Sequence, residues 1–233
     1  MNNSPLRITL LALVVASVTG CTLTGPPSTG LGRQLGWYAY LGGDDIRRTC
    51  VPGADDHMRF VYQATFAGQV RGYELVVPGG SDTGGLRSQA WGAPALMSFG
   101  PGGPSLGGPV EAHAVVEPAE LSALAAALGE SRFDGAAPVG ARLRSDRYFW
   151  TVAACRNGSF HFNAFLLDLD DPRQPAFAAP LFALDRTGVA VRPPEPTGGP
   201  LRTLDPARAS PERREDLSFE LRVGPEGLDT GPF

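Results

Sequence analysis

Three histidines, three cysteines and a serine set among glycines are the residues of this 233-residue chain whose types could support chemistry. His57, His113 and His161 stand far apart. Zinc needs three or four convergent ligands, usually with one close pair, and no H-x-x-x-H or H-E-x-x-H arrangement occurs. His57 follows Asp55-Asp56 and reads as part of a solvated turn. His161, beside Asn163 in an alternating run, reads as a hydrogen-bonded sheet histidine rather than a ligand or general base. Gly103-Pro104-Ser105-Leu106-Gly107 satisfies G-x-S-x-G. A serine there is a nucleophile only on a strand-to-helix elbow, and Gly108-Pro109 follows, so the motif reads as loop. Asp168-Leu169-Asp170-Asp171-Pro172 gathers oxygen ligands without the glycine and distal glutamate of a complete calcium loop, and reads as a polar turn. All 20 basic residues are arginine, which excludes a Schiff-base lysine, a Walker lysine and a Ser–Lys dyad. No metal and no cofactor is expected.

The first cysteine sits apart from the other two. Met1–Arg7 is polar with one positive charge, Ile8–Val18 is apolar, and small residues follow. The apolar run is too short for a bilayer core, which takes roughly 20 helical residues. The order of charge, apolar run and small residues is that of a secretory signal over 1–20. Val18-Thr19-Gly20-Cys21 resembles the lipobox of bacterial lipoproteins, an aliphatic residue and two small ones before an obligatory cysteine. The resemblance covers this segment alone. It implies that the Cys21 thiol takes a diacylglycerol thioether, that a peptidase cuts before Cys21, and that the new amine is acylated as well. Such chains contribute about 0.8 kcal/mol per buried methylene, enough together for stable anchoring. Valine stands where leucine is more usual. Thr22 rather than Asp follows, which implies the outer membrane, facing the periplasm, in a host with two membranes.

Once the leader is gone, 19 arginines face 24 acids, a net charge of −5. Mild acidity argues against a nucleic-acid partner, which calls for a basic stripe. Cys50 and Cys155 are then an even pair in a compartment that permits disulfides, which suggests one bridge. Two buried free thiols are the alternative.

These residues need elements to hold them. Residues 21–36, rich in Gly, Pro, Ser and Thr, read as a flexible tether. Asp44 can cap a short helix, Asp45–Cys50, that Pro52-Gly53 stops. Met58–Phe66 alternates with period two, Ala67-Gly68 turns, and Val70–Val77 returns as the first hairpin. Arg87–Phe99 is strand-like around Pro94, Gly100–Pro109 reads as loop, and Val110–Val116 as strand. Glu117-Pro118 opens the main helix, with Leu121, Leu124, Ala125 and Leu128 in one stripe and Gly129 ending it. Asn157-Gly158 joins Arg147–Cys155 to Ser159–Leu167 as a second hairpin. One face then carries Phe149, Thr151, Ala153, Cys155, Phe160, Phe162, Ala164 and Leu166 as core. The other carries Tyr148, Trp150, Val152, His161, Asn163 and Phe165, and is either covered by a helix or partly exposed. Pro180–Arg186 reads as a second short helix. Residues 194–233 read as a Pro/Gly-rich, mostly disordered tail in which Leu217–Val223 could add an edge strand.

The expectation is one α+β domain over 37–193, an antiparallel sheet built on two hairpins with one main packing helix. Its function is expected to be that of a lipid-anchored envelope lipoprotein, a non-enzymatic module that binds an envelope protein or wall component, or only spaces other parts. Tyr148, Trp150, His161 and Asn163 are its candidate ligand face. The alternative is a small envelope hydrolase using His161 or His57 with a carboxylate.

Overall fold

A computed structural model of the chain describes residues 31–64, 69–91, 97–100, 103–106, 109–168, 173–192, 194 and 219–229. The leader, Cys21, the tether as far as residue 30, Asp170 and Asp171 of the acidic run, and residues 195–218 lie outside them.

The chain enters through two helices, Leu31–Gly42 (α1) and Asp44–Thr49 (α2). Gly43 joins them at φ 69, where a Cβ would collide with Ala153, so only glycine serves. Strands Asp56–Ala64 (β1), Gln69–Val77 (β2) and Gly84–Trp91 (β3) follow, then the short pair Met97–Gly100 (β4) and Gly103–Leu106 (β5), then Val110–Val116 (β6). Helix Pro118–Glu130 (α3) leads to Arg142–Arg144 (β7), Tyr148–Arg156 (β8) and Ser159–Leu166 (β9). Helix Ala178–Leu184 (α4) and strands Glu220–Gly224 (β10) and Gly227–Asp229 (β11) complete it. The fold is α+β: a six-stranded antiparallel sheet in the order β6-β3-β2-β1-β8-β9, a three-stranded sheet β11-β10-β7, and the pair β4-β5.

Both faces of the large sheet are covered for most of their width. On one face α3 and α4 bring Leu124, Leu128, Leu181 and Leu184 onto Phe60, Tyr73, Leu75, Leu86, Trp150 and Val152. α3 is well started: Pro118 occupies its first turn, and Glu117 and Glu120 exchange side-chain to backbone hydrogen bonds in a capping box. On the other face α1, α2 and the small sheet bring Trp37, Tyr38, Leu41, Ile46, Leu221 and Val223 onto Val61, Phe149, Ala153 and Phe162.

The second hairpin has the expected register, Arg156 opposite Ser159 and Cys155 opposite Phe160. Asn157 and Gly158 both hold positive φ, as a right-twisting two-residue turn requires. Cys155 points inward and is bonded to Cys50 as a disulfide. Leu166, expected in the core, is half exposed because β9 ends the sheet there.

Three expectations are corrected. Helix α1 begins at Leu31, inside the segment read as tether, and glycines 32, 36 and 42 mask its period. Its buried Trp37, Tyr38, Tyr40 and Leu41 supply the apolar stripe that stabilises it. Gly103–Leu106, read as loop, pairs with Met97–Gly100, only Pro101 and Gly102 separating them. The third concerns the tail only in placement: the strand expected within Leu217–Val223 forms as β10. Leu221 and Val223 alternate inward, as a half-buried strand demands, and β10 becomes the centre of the small sheet rather than an edge of the large one.

The disulfide spans 105 residues of sequence. Replacing both Cys50 and Cys155 by Ala is expected to cost about 5 kcal/mol in the chain-entropy picture. Urea unfolding of the two proteins measures it, and coincident midpoints would remove the bridge from the stability of the fold.

Candidate functional site

Pairing alone sets up a row of charge. Arg59 on β1 lies opposite Glu74 on β2, Glu74 opposite Arg87 on β3, and Arg87 opposite His113 on β6. Directly opposed residues share a face, so the four form a line across four strands in which Glu74 stands between two arginines and His113 follows Arg87. At its inner end the line runs under α1 and α2. At its outer end it emerges into a shallow trough of about 470 Å³, lined by Glu74, Val76, Gly85, Arg87, His113 and Val115.

Arg59 is the buried end, with 3% exposure. Its Nε donates to Glu74 Oε1 at 3.1 Å, and its Nη1 and Nη2 donate to the Asp45 carboxylate at 2.7 and 2.6 Å. Nη1 also donates to the Tyr40 carbonyl at 3.2 Å, and the guanidinium stands 4.0 Å from the centre of the Tyr40 ring. Burial opposes the guanidinium charge, but the Asp45 hydrogen bond and the nearby Glu74 charge hold its proton more tightly than usual.

Glu74 is the hub. It accepts from Arg59, from Arg87 Nη2 at 3.0 Å, and meets His57 Nε2 at 3.2 Å. Burial alone would raise its pKa, yet the hydrogen bonds from His57 and Arg59 and the charges of Arg59 and Arg87 hold the carboxyl far below the usual range. Outward, Glu111 accepts from Gln89 Nε2 at 2.8 Å, meets His113 Nε2 at 3.1 Å and lies 3.8 Å from Arg87 Nη1. Arg87 is a third exposed, His113 is largely exposed, and Val115 stands 67% exposed at the rim. The arrangement offers a fixed arginine edge, two imidazoles against carboxylates, and apolar flanks. That equips it to bind a ligand with both polar and apolar parts. Among the described residues no three metal-ligating side chains converge.

Of the residues singled out from sequence, His113 lines the trough and His57 meets Glu74, while the others fall elsewhere. His57 belongs to β1, not to a turn, and is half-buried against Glu74; Asp56 before it accepts the Asn157 N–H. Tyr148, Trp150, His161 and Asn163 lie on the face beneath α3 and α4. Trp150 is fully buried and donates Nε1–H to Gln174. His161 Nε2 and Asn163 Nδ2 both meet the Phe133 carbonyl, at 2.8 and 2.9 Å, and so hold the end of α3 to the sheet. Ser105 lies on β5, opposite Ser98, with strand β6 rather than a helix next. The trough was missed because its residues are ordinary members of strands. The available signal was opposite charge at alternate positions, Arg59 on one arm of the first hairpin and Glu74 on the other.

Glu74→Gln leaves Arg59 buried without its sheet carboxylate and is expected to cost about 3 kcal/mol. Because folding depresses the Glu74 pKa, its stabilisation is complete above the unfolded value and is lost as pH falls toward the folded one. Between those values the unfolded chain binds the extra proton. Thermal melts from pH 7 to pH 2 should therefore show stability falling below about pH 4.5. The slope should be shallower in Glu74→Gln, and equal slopes would refute the assignment.

No protein-family model matches this chain, and neither the curated proteins nor the solved structures contain a match to it.

Proposed function

We propose that this chain is a lipid-anchored lipoprotein of a bacterial envelope, acylated on Cys21, whose domain binds an envelope protein or wall component through the trough over β2, β3 and β6. The Cys50–Cys155 disulfide carries the reading of compartment, because such bonds persist outside the reducing cytosol. The leader and Val18-Thr19-Gly20-Cys21 support the anchor. In a host with two membranes the anchor lies in the outer one, with the domain in the periplasm. Helix α1 opens ten positions after Cys21, so the tether can hold the domain at most about 35 Å from the anchored sulfur.

The trough supports the binding role. Its charges are held in place by one another, so little side-chain freedom is lost when a ligand arrives. The His57–Glu74 contact favours a second reading, a small hydrolase with His57 as base and Glu74 as its orienting acid. Hydrolysis of ester, amide or glycoside probes that disappears in His57→Gln would establish it.

Cys21→Ser is expected to move the protein from the detergent phase to the aqueous phase in a cloud-point partition of membranes. The wild-type N-terminal peptide should carry the mass of its acyl chains. A bare thiol at Cys21, or Cys21→Ser retained in the membrane, would overturn the anchor.

A further inference from the structure

The two edges of the large sheet are treated differently. At β9, Asn163 turns its own side-chain oxygen back onto the Ala164 N–H, and His161 and Asn163 hold the chain at Phe133 beside it. At β6, among the described residues, only β3 pairs with the strand. Its register is unbroken from Val110 opposite Ala90 to Val116 opposite Gly84, with no bulge and no internal proline. Proteins usually blunt such an edge, because its unused N–H and C=O groups template another strand.

We infer that β6 is the seam of a symmetric dimer, in which a second copy of this chain lays its own β6 antiparallel against the first across a two-fold axis at Ala112. The side chains select both partner and register. Glu111, His113 and Val115 are exposed on the trough face, and Val110, Ala112 and Ala114 are half-buried on the other. A two-fold axis perpendicular to the sheet keeps like faces together only when it passes through a residue. Centred on His113 it would oppose the two imidazoles and set Glu111 against Val115. Centred on Ala114 it would set His113 against Val115. Centred on Ala112 it sets Glu111 against His113 of the other copy, twice, and small Ala112 against itself. An acid opposite an imidazole is a favourable cross-strand pair, so the strand is complementary to itself in this one register. Within one chain His113 turns back to Glu111 at 3.1 Å, and the seam offers each the same chemistry from across the axis. The sheet becomes twelve strands, and the two troughs meet along the seam as one concave face. The seam involves neither Cys21 nor the leader, so it stands or falls apart from the lipid anchor.

Ala112→Cys in the full chain places two thiols across the axis, within disulfide reach. With a mild oxidant on membranes, non-reducing electrophoresis should show a dimer beyond any formed by the wild type. Ala114→Cys puts its thiols about 14 Å apart and should give roughly tenfold less. Glu111→Arg on the Ala112→Cys background should reduce the crosslink, and adding His113→Glu should restore it. Sedimentation of the detergent-extracted wild type at micromolar concentration should give the mass of two chains. A monomer there, or equal crosslinking at 112 and 114, overturns the seam.

Discussion

Burying a guanidinium costs several kcal/mol unless its charge is matched and its donors are taken up, and Arg59 is almost wholly buried on an interior strand. Matching it dictates much of what surrounds it. Asp45 must come down from α2, Glu74 must stand opposite on β2, and the Tyr40 carbonyl and ring must close over it from α1. The helical layer is thereby tied to the sheet by charge at one point and by the Cys50–Cys155 disulfide at another. Just ahead of both, Gly43 lets α1 and α2 meet directly over Ala153.

The opposite face repeats the device with a different arginine. Arg71 is fully buried and pairs with Asp185, which also accepts from Tyr73 and Thr187. Arg71 also donates to the Val189 carbonyl, and Gln69 donates to that of Ala190, so the segment after α4 is strapped across the sheet. The α1 side is less completely satisfied. Among the described residues, Trp37 Nε1, Trp91 Nε1, Thr151 Oγ1 and both polar atoms of Gln63 are buried without a hydrogen-bond partner. Each such group costs on the order of 1–3 kcal/mol when left unmade. Ring packing among Trp37, Tyr40 and Trp91 offsets part of that cost. The layer that covers the charged row is therefore held by its ion pairs, its disulfide and its aromatic packing more than by hydrogen bonds along its length.

The trough is what this arrangement leaves uncovered. The helices that answer Arg59 sit over β1 and β8, and the row of charge continues past them onto β2, β3 and β6. There Arg87 and Glu111 are partly open to solvent and Val115 is exposed among the described residues. Because Glu74 belongs to both regions, the charge inside the fold and the charge offered at the surface are parts of one network.

Much of the architecture could be read from local pattern. Strand alternation, Asn157-Gly158 and Glu117-Pro118 act within a few residues, and they located both hairpins and α3 in the α+β fold. The expectation of an oxidising compartment, with Cys50 and Cys155 as the even pair beside Cys21, pointed to the pair that is bonded. The pattern did not reveal α1, whose glycines dilute its stripe; it offered a strand within Leu217–Val223, but not the pairing of β10 with β7, which lies far back in the chain. The site was not legible either. Arg59, Glu74, Arg87 and His113 form a row only once four strands have taken their register, and no spacing within one segment encodes it. Local sequence determines which segments bend, coil or extend, because those preferences are settled between near neighbours. Which charges face one another, and which face of the second hairpin is closed over, is decided by long-range pairing and burial, and those exist only in the folded chain.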